Sequence, residues 1–208
     1  MSKISLKHSG GNVVSLNSPT SAPTSADVAF KLPNADGTSG QAIVTDASGN
    51  LSFSNTGKFA SYAIICDQKS QNTGGGTFTS GDWRTRDLNT EITDEDGIVA
   101  ISSNQFTLQA GSYLIEANAP AYKVNRHMIK LRQTSGTPAD IVFGTAEYTK
   151  DAYLSYNRSF LSARVTISGA TTYEIQHRSE ATFASFGFGI GANFSTETYT
   201  LVKIYKEA

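Results

Sequence analysis

The sequence predicts an all-β protein whose main domain is a two-sheet sandwich or jelly roll. Charged residues make up only 17% of the chain, and the Ser, Thr, Asn and Gly that replace them favour strands and turns over ion-paired surface helices. Nine Tyr and eleven Phe, against one Trp, are typical of pleated, half-buried surfaces. Apolar and polar residues alternate with period two between turn residues, and no sustained apolar stripe occurs at helical spacing.

The first part of the chain predicts an extended segment of short strands. The 208 residues suffice for one medium domain and an appendage, and residues 1–57 are poor in aromatic residues and rich in Ser, Thr, Gly and Asn. Strands this short are not stable alone, so we expect them to pack against copies of themselves or against a docking partner. The short strands are predicted at 4–7, 12–16, 28–32, 42–45 and 51–53.

Longer strands follow in residues 58–208, which we assign to the jelly-roll domain. Roughly eight to ten strands separated by turns, in a domain of this size, are typical of a two-sheet sandwich. These strands are predicted at 59–66, 82–92, 98–101, 105–108, 112–122, 126–133, 141–148, 153–167, 171–179 and 194–205.

Composition argues against several classes of partner. A formal net charge of −1 without a Lys/Arg block gives no electrostatic footprint for nucleic acid. No apolar stretch is long enough for membrane insertion, and the N-terminus lacks the apolar core of a signal peptide. We therefore expect a product made in a host cytoplasm. Cys66, the only Cys, lies in an apolar run and is predicted to be a buried, inert thiol.

Several strands pair an apolar face with a face that mixes aromatic residues with Arg, Glu, Asn and Gln. One interpretation is a solvated outer face. The other is a subunit interface, because Tyr and Arg are enriched in interfaces and Arg–Glu pairs fix the orientation of partners. The candidates for a trimer interface are Glu116, Asn118, Arg126, Tyr156, Arg158, Gln176 and Arg178.

No catalytic or metal-binding pattern stands out, so we predict neither enzyme activity nor a cofactor. The Gly-x-Ser-x-Gly elbow, the phosphate-binding glycine loop and the His-Glu-x-x-His motif are absent from the sequence. His127 and His177 lie on apolar strand faces and His8 is far away in the chain, which favours hydrogen-bonded core or interface histidines over metal ligands. Residues 93–97 are acidic and are predicted to form a hairpin tip rather than a calcium loop.

One stretch is similar to known virion material. Residues 26–53 read ADVAFKLPNADGTSGQAIVTDASGNLSF and resemble the "LP…DGT.GQ.L.TDG.GNLSF" segment of tailed-phage fibre and other virion proteins, notably those of cyanophages. The Gly, Asp and Asn residues suit tight turns between short strands. The resemblance implies a virion appendage in which residues 1–57 attach the protein to other virion proteins.

Five further stretches of the remaining chain are similar to known material. They are 83–90 (WRTRDLNT), 106–122 (FTLQAGSYLIEANAPAY), 125–127 (NRH), 175–178 (IQHR) and 199–205 (YTLVKIY). They resemble the C1q/TNF-like jelly rolls of phage fibres. This resemblance implies a compact homotrimer with the N-terminal segments converging at one end. The chain differs from animal C1q proteins in lacking a Gly-X-Y collagen stalk, so their ligands are not carried over.

The leading hypothesis is a trimeric tail fibre or head or tail decoration protein that displays its jelly roll for host attachment. A host-surface glycan is the expected ligand, because three weak sugar contacts in one trimer gain avidity. Loops 74–80 and 183–191 are the candidates for this contact, with a purely structural role equally open. The alternatives are a cellular C1q-like adhesin or secreted binding module, which the missing signal peptide disfavours, and a glycan-cleaving enzyme. The enzyme would require the fold to bring Glu147 and Glu180 together.

Overall fold

The computed structural model describes residues 3–7, 9–11, 13–17, 30–46, 48–55, 57–150, 152 and 154–208. The chain forms two compact units, residues 1–56 and 57–208, and the division lies next to the change in sequence texture. The described residues contain strands and turns without a helix, and so none that is long and apolar enough to cross a membrane.

The N-terminal unit contains two antiparallel hairpins. Strand β1 (Lys3–Lys7) pairs with β2 (Val13–Asn17), and β3 (Gln41–Thr45) pairs with β4 (Leu51–Asn55). The strand predicted at 28–32 is not formed in its described part, where Lys31 makes an isolated parallel bridge to Asn50. Residues 28 and 29 lie outside the described residues.

Residues 41–53, the last part of the first stretch quoted above, belong to the second hairpin, which turns around Asp46. The Asp46 carboxylate accepts hydrogen bonds from the backbone N–H of Ser48 at 2.8 Å and of Asn50 at 3.1 Å. The side-chain amide of Asn50 also donates to this carboxylate, and these bonds lower the pKa of Asp46. Gly49 adopts a φ of 84°, which favours glycine. The Asp, Gly and Asn of this stretch therefore build one tight turn.

The C-terminal unit holds the remaining strands. They are β5 (Phe59–Lys69), β6 (Arg84–Thr85), β7 (Thr90–Thr93), β8 (Val99–Ser102), β9 (Gln105–Leu108), β10 (Gly111–Tyr122), β11 (Asn125–Gln133), β12 (Ala139–Phe143), β13 (Glu147–Thr149), β14 (Tyr156–Ile167), β15 (Thr171–Ser179) and β16 (Glu197–Glu207).

These strands form two sheets with jelly-roll topology. The five-stranded sheet has the order β14-β10-β16-β5-β7, and the seven-stranded sheet has the order β12-β11-β15-β9-β8 with β13 added to β11 and β6 to β15. The chain passes repeatedly from one sheet to the other, as in a jelly roll. It does so between β5 and β6, β6 and β7, β7 and β8, β9 and β10, β10 and β11, β13 and β14, β14 and β15, and β15 and β16. The predicted fold class is confirmed.

The core lies between the two sheets and follows the predicted period-two alternation. On β10, Tyr113, Ile115, Ala117 and Ala119 are buried in one hydrophobic cluster, while the residues between them point outward. Strand β15 places Tyr173 and Ile175 in the same cluster. Alternation identified the buried face because each strand of a sandwich has one side against the core.

The prediction of a single strand at 82–92 is wrong, because the chain changes sheets within this stretch. Strand β6 pairs with β15 of the seven-stranded sheet, and β7 pairs with β5 of the five-stranded sheet. The residues between them cross the domain, and there Arg86 and Leu88 are both 1% exposed. The alternation of apolar and polar residues indicates which side of a strand is buried, but it does not indicate where the chain crosses to the other sheet.

The strand predicted at 141–148 is interrupted at Gly144. The Gly144 N–H donates to the carbonyl of Ile129 at 2.8 Å, and a Cβ added at Gly144 would lie 2.6 Å from the carbonyl oxygen of Phe160. The chain therefore folds over the edge of β14 before β13 begins. The start predicted at Tyr153 lies outside the described residues, and β14 begins at Tyr156.

Candidate functional site

The outer face of the five-stranded sheet is rich in aromatic and aliphatic side chains. We call it the aromatic face. Its residues lie in cross-strand rows fixed by the register of β5, β16, β10 and β14. The rows are Tyr62–Tyr205–Leu114–Arg164, Ile64–Lys203–Glu116–Ser162 and Cys66–Leu201–Asn118–Phe160.

Large aromatic side chains on this face are open to solvent. Tyr62 and Phe160 are each 52% exposed, and Tyr156 is 41% exposed. A depression of about 420 Å³ lies beside Phe160 and is also lined by Glu116 and Lys203. Several large apolar side chains exposed on one face are typical of an association site.

Two opposite charges lie across from each other in the middle of the aromatic face without forming an ion pair. Glu116 and Lys203 occupy opposed register positions on β10 and β16, and both are half-buried. Among the described residues, neither side chain has a hydrogen-bond or ion-pair partner. Partly buried charges without partners are unfavourable. Opposite charges from another chain would offset this cost.

Two other predicted interface residues on this sheet are bonded to their own chain. The Arg158 guanidinium donates to Asn118 Oδ1 at 2.7 Å, to the Tyr199 carbonyl at 2.6 Å and to the Thr198 carbonyl at 3.3 Å. Arg158 thus ties the edge strand β14 to β10 and β16. Its substitution would disturb the sheet as well as any interface.

The seven predicted interface residues divide between two sheets. Glu116, Asn118, Tyr156 and Arg158 belong to the five-stranded sheet, whereas Arg126, Gln176 and Arg178 belong to the seven-stranded sheet. The set is therefore not one continuous patch, because the outer faces of a sandwich point in opposite directions. Period-two reading shows which residues share a side of a strand, and it leaves open which sheet the strand joins.

A cleft of about 490 Å³ lies on the outer face of the seven-stranded sheet. We call it the charged cleft. It gathers Trp83, Arg126, Glu147, Arg178 and Glu180, which are far apart in the sequence. The fold thus brings Glu147 and Glu180, considered above as a glycosidase pair, to the same cleft.

Both carboxylates of the charged cleft are engaged by donors of the same chain. Glu180 forms an ion pair with Arg126 at 2.8 Å. Glu147 accepts hydrogen bonds from Thr145 Oγ1 at 2.9 Å and from Asn157 Nδ2 at 3.1 Å. These contacts fix the positions of both carboxylates in the cleft.

Trp83 is fixed in the wall of the charged cleft by a buried cation. Lys130 Nζ lies 4.2 Å from the centroid of the Trp83 ring, and the Phe143 ring lies 5.8 Å from it. Lys130 is itself held by Asp140 at 2.9 Å, and this bond contributes most to lowering the pKa of that carboxyl. The tryptophan therefore presents a rigid surface to the cleft.

A buried histidine pair lies behind the charged cleft. His127 Nδ1 and His177 Nε2 are 3.0 Å apart, and His127 Nε2 lies 2.7 Å from Asn157 Oδ1. Burial lowers the pKa of both rings. His177 Nδ1 has no hydrogen-bond partner among the described residues.

Arg86, which the sequence reading did not single out, connects the ends of several strands. Its guanidinium donates to Thr200 Oγ1 and to the Phe188 carbonyl, each at 2.9 Å, and lies 4.2 Å from the Phe188 ring centroid. Burial lowers the pKa of Arg86 to about 10, while the charges of Asp67 and Asp87 oppose this shift. Asp67 is also buried, which raises its pKa. An arginine inside a strand-like stretch gave no signal that it would be buried.

The two loops predicted to contact a ligand pair with each other. The Gly75 N–H donates to the Gly189 carbonyl at 2.9 Å, and Phe78 and Phe183 form a β-bridge. A Cβ added at Gly187 would lie 2.5 Å from the Phe183 carbonyl oxygen. Much of 74–80 and 183–191 is therefore committed to packing around the buried Phe78.

The acidic turn at residues 93–97 and Cys66 contribute to the fold. Asp94 accepts hydrogen bonds from the N–H groups of Ile98 at 2.8 Å and Val99 at 3.0 Å, so it closes the turn between β7 and β8. Cys66 is buried, which raises the pKa of its thiol. The described residues hold no group of three or more His, Cys, Asp or Glu suited to a metal ion, and His8 lies outside them.

The comparisons with known proteins found solved structures similar to this one, but no similar sequence. No protein-family model and no curated protein matches the sequence. Murine APRIL at pH 5.0 is 9% identical over 70% of this chain and 98% of its own, with a TM-score of 0.49. The globular domain of zebrafish complement 1qA is 14% identical over 69% and 94%, with a TM-score of 0.41. The PRD1 vertex protein P5 is 11% identical over 73% and 100%, with a TM-score of 0.48. These are likenesses of fold, at identities too low to indicate a function.

Proposed function

We propose that this chain is a non-enzymatic structural protein of a virion. In this proposal it is a homotrimeric tail fibre or head or tail decoration protein, made in the host cytoplasm. Its N-terminal unit docks to other virion proteins and its jelly roll is displayed for attachment to the host surface. The observation that carries the proposal is the aromatic face, because it is the kind of surface that a second copy of the chain would cover.

The contrast between the outer faces of the two sheets supports self-association. The aromatic face exposes Tyr62, Tyr156 and Phe160. The outer face of the seven-stranded sheet carries intrachain ion pairs such as Lys130–Asp140 and Arg126–Glu180, whereas the five-stranded sheet has the pair Arg164–Glu207 between its edge strand β14 and the end of β16. Burial of the aromatic side chains would contribute about 25 cal/mol per Å² of apolar surface. A trimer rather than a dimer is what the sequence resemblance to C1q/TNF-like jelly rolls of phage fibres implies.

The central charges of the aromatic face also fit a closed assembly. Glu116 of one copy can meet Lys203 of a neighbour, since both are half-buried and lack partners among the described residues. Such contacts fix the orientation of subunits more than they add to affinity. Repetition of one contact around a closed ring satisfies every copy.

The N-terminal unit has the surface expected of a segment that packs against a partner. Leu32 is 81% exposed and Phe30 is 65% exposed. Ile43 and Val44, adjacent on β3, point to opposite sides of the hairpin and are 58% and 39% exposed. A two-stranded hairpin with apolar residues on both sides is marginally stable alone. Docking to a particle or to the other copies would cover these side chains.

The mass of the purified chain in solution tests the trimer. We expect three times the chain mass of 22.2 kDa by light scattering. Tyr62→Asp should give a monomer at micromolar concentration, because it replaces an exposed aromatic side chain of the contact with a charge. Tyr148→Asp is a matched control, since Tyr148 is 51% exposed against 52% for Tyr62 but lies on the seven-stranded sheet. A wild-type monomer, or a Tyr62→Asp variant that keeps the full mass, contradicts the trimer. Immunogold labelling of purified particles tests the virion location separately.

A further inference from the structure

The charged cleft has the size and composition of a ligand site. Its volume of about 490 Å³ is in the range of small-molecule pockets. The segment before β6, the start of β11, strand β13 and the end of β15 meet there. Met128 and Ala146 add apolar surface between the charged side chains. The site thus combines a few polar groups with an apolar floor.

The aromatic part of the charged cleft is preorganised. Trp83, half-buried, rests against Lys130 and Phe143 and cannot turn away without losing both contacts. A rigid aromatic surface binds a ligand at a low cost in conformational entropy. A ligand with a flat, weakly polar side can pack against such a surface.

The charges of the cleft are balanced. Arg126 and Arg178 are offset by Glu147 and Glu180, so the cleft does not favour an anion or a cation. Arg178 is exposed and has no hydrogen-bond or ion-pair partner among the described residues, which leaves its guanidinium available to a ligand. The Glu147 and Glu180 carboxylates accept hydrogen bonds, and the two guanidinium groups donate them.

We propose that the charged cleft binds a neutral pyranose unit of a polysaccharide. A pyranose has an apolar C–H face that packs on an indole ring, and a rim of hydroxyl groups that each donate and accept hydrogen bonds. That combination matches Trp83 on one side and the Arg and Glu side chains on the other. A nucleotide or an acidic sugar gains no net attraction, because the charges of Arg126 and Arg178 are offset by those of Glu147 and Glu180. The inference rests on the host-attachment part of the proposed function and names its ligand class and site.

Titration of the full-length protein with free methyl glycosides tests this inference. The probes are the methyl glycosides of glucose, galactose, mannose and N-acetylglucosamine, with methyl glucuronide as an anionic comparison. Trp83 is the only Trp, so a change in tryptophan emission reports on this cleft. We expect saturable quenching or a spectral shift with at least one neutral glycoside at millimolar concentration. Saturation-transfer NMR gives a second readout that does not depend on tryptophan.

Variants separate the cleft from other surfaces. Arg178→Ala should weaken binding about tenfold through loss of charged hydrogen bonds, without disturbing an intrachain contact. Trp83→Phe, followed by NMR, should also weaken it. Lys31→Ala removes the same charge from the N-terminal unit and should leave binding unchanged.

Three outcomes would overturn the inference. They are no binding of any neutral glycoside, equal binding by wild type and Arg178→Ala, and tighter binding of the glucuronide. Free sugar binding does not require a trimer, so light scattering on the same samples separates the two proposals. A trimer that binds no sugar overturns the cleft alone, and a monomer that binds sugar overturns the trimer alone.

Discussion

Acid should destabilise the jelly roll through its buried histidine pair. His127 and His177 are 4% and 0% exposed, and the Phe78 ring centroid lies 4.7 Å from that of His177. Burial is the main cause that lowers the pKa of each ring, and the nearby Arg86 charge acts in the same direction. For His127, the hydrogen bond to Asn157 and the charge of Glu147 act in the opposite direction. The described groups around the pair therefore favour neutral rings in the folded state.

The sign and size of the effect follow from proton uptake by the unfolded chain. Unfolded histidines titrate near their ordinary pKa of 6.5, whereas the folded pair stays neutral to lower pH. The stability is thus fully present above pH 6.5 and is lost as the pH falls below it. A histidine that remains neutral in the fold at pH 5 reduces the free energy of unfolding by about 2 kcal/mol relative to pH 7.5. The pair should account for about 2 to 4 kcal/mol.

Urea unfolding at pH 7.5, 6.5 and 5 measures this loss. Protein concentration and ionic strength must be held fixed, because self-association adds to stability. His177→Phe places an apolar ring beside Phe78 and removes one titrating group, so the loss between pH 7.5 and 5 should fall by about half. A wild-type change below about 0.5 kcal/mol, or an undiminished loss in His177→Phe, would show that the histidine pair does not cause the acid sensitivity.

Two further changes test the packing that supports the charged cleft and the loops. Arg86→Met should lower the free energy of unfolding by about 2 to 4 kcal/mol, because it leaves Thr200 Oγ1 and buried carbonyls without their donor; wild-type stability by urea unfolding would contradict this. Gly187→Ala should cost about 2 kcal/mol or more, since its Cβ would meet a carbonyl oxygen at 2.5 Å. Gly169→Ala, whose Cβ would meet nothing within 4 Å, is the control and should be nearly neutral.

The sequence predicted those features of the fold that depend on neighbours along the chain. Strands β9 and β15 were predicted at the residues where they occur, and β10 within one residue, because alternation records which side of a strand is buried. The prediction for 82–92 was wrong because the structure there depends on residues far away in the sequence. This stretch alternates like one strand, yet Arg86 crosses between the sheets and is buried by Phe188 and Thr200, more than 100 residues later.

The candidate sites were predicted only in fragments. The seven predicted interface residues were grouped because their strands show a similar alternation of apolar and polar residues. This alternation does not reveal that Glu116 and Arg178 lie on opposite sheets. The charged cleft joins Trp83, Arg126 and Glu180 across the fold, so no local spacing could indicate it. Glu147 and Glu180 were considered as a pair for their chemistry, and only the paths of β13 and β15 place them together.

The two sheets give the molecule surfaces suited to different tasks. The aromatic face and the charged cleft lie on opposite sides of one sandwich, so association through the first would leave the second open to solvent. The proposed trimer would then present three clefts directed away from its contacts. Sites that each bind a sugar at millimolar concentration can gain a factor of about 10² to 10⁴ when several engage one surface. Weak individual clefts are therefore compatible with firm attachment, provided that the aromatic face holds the copies together.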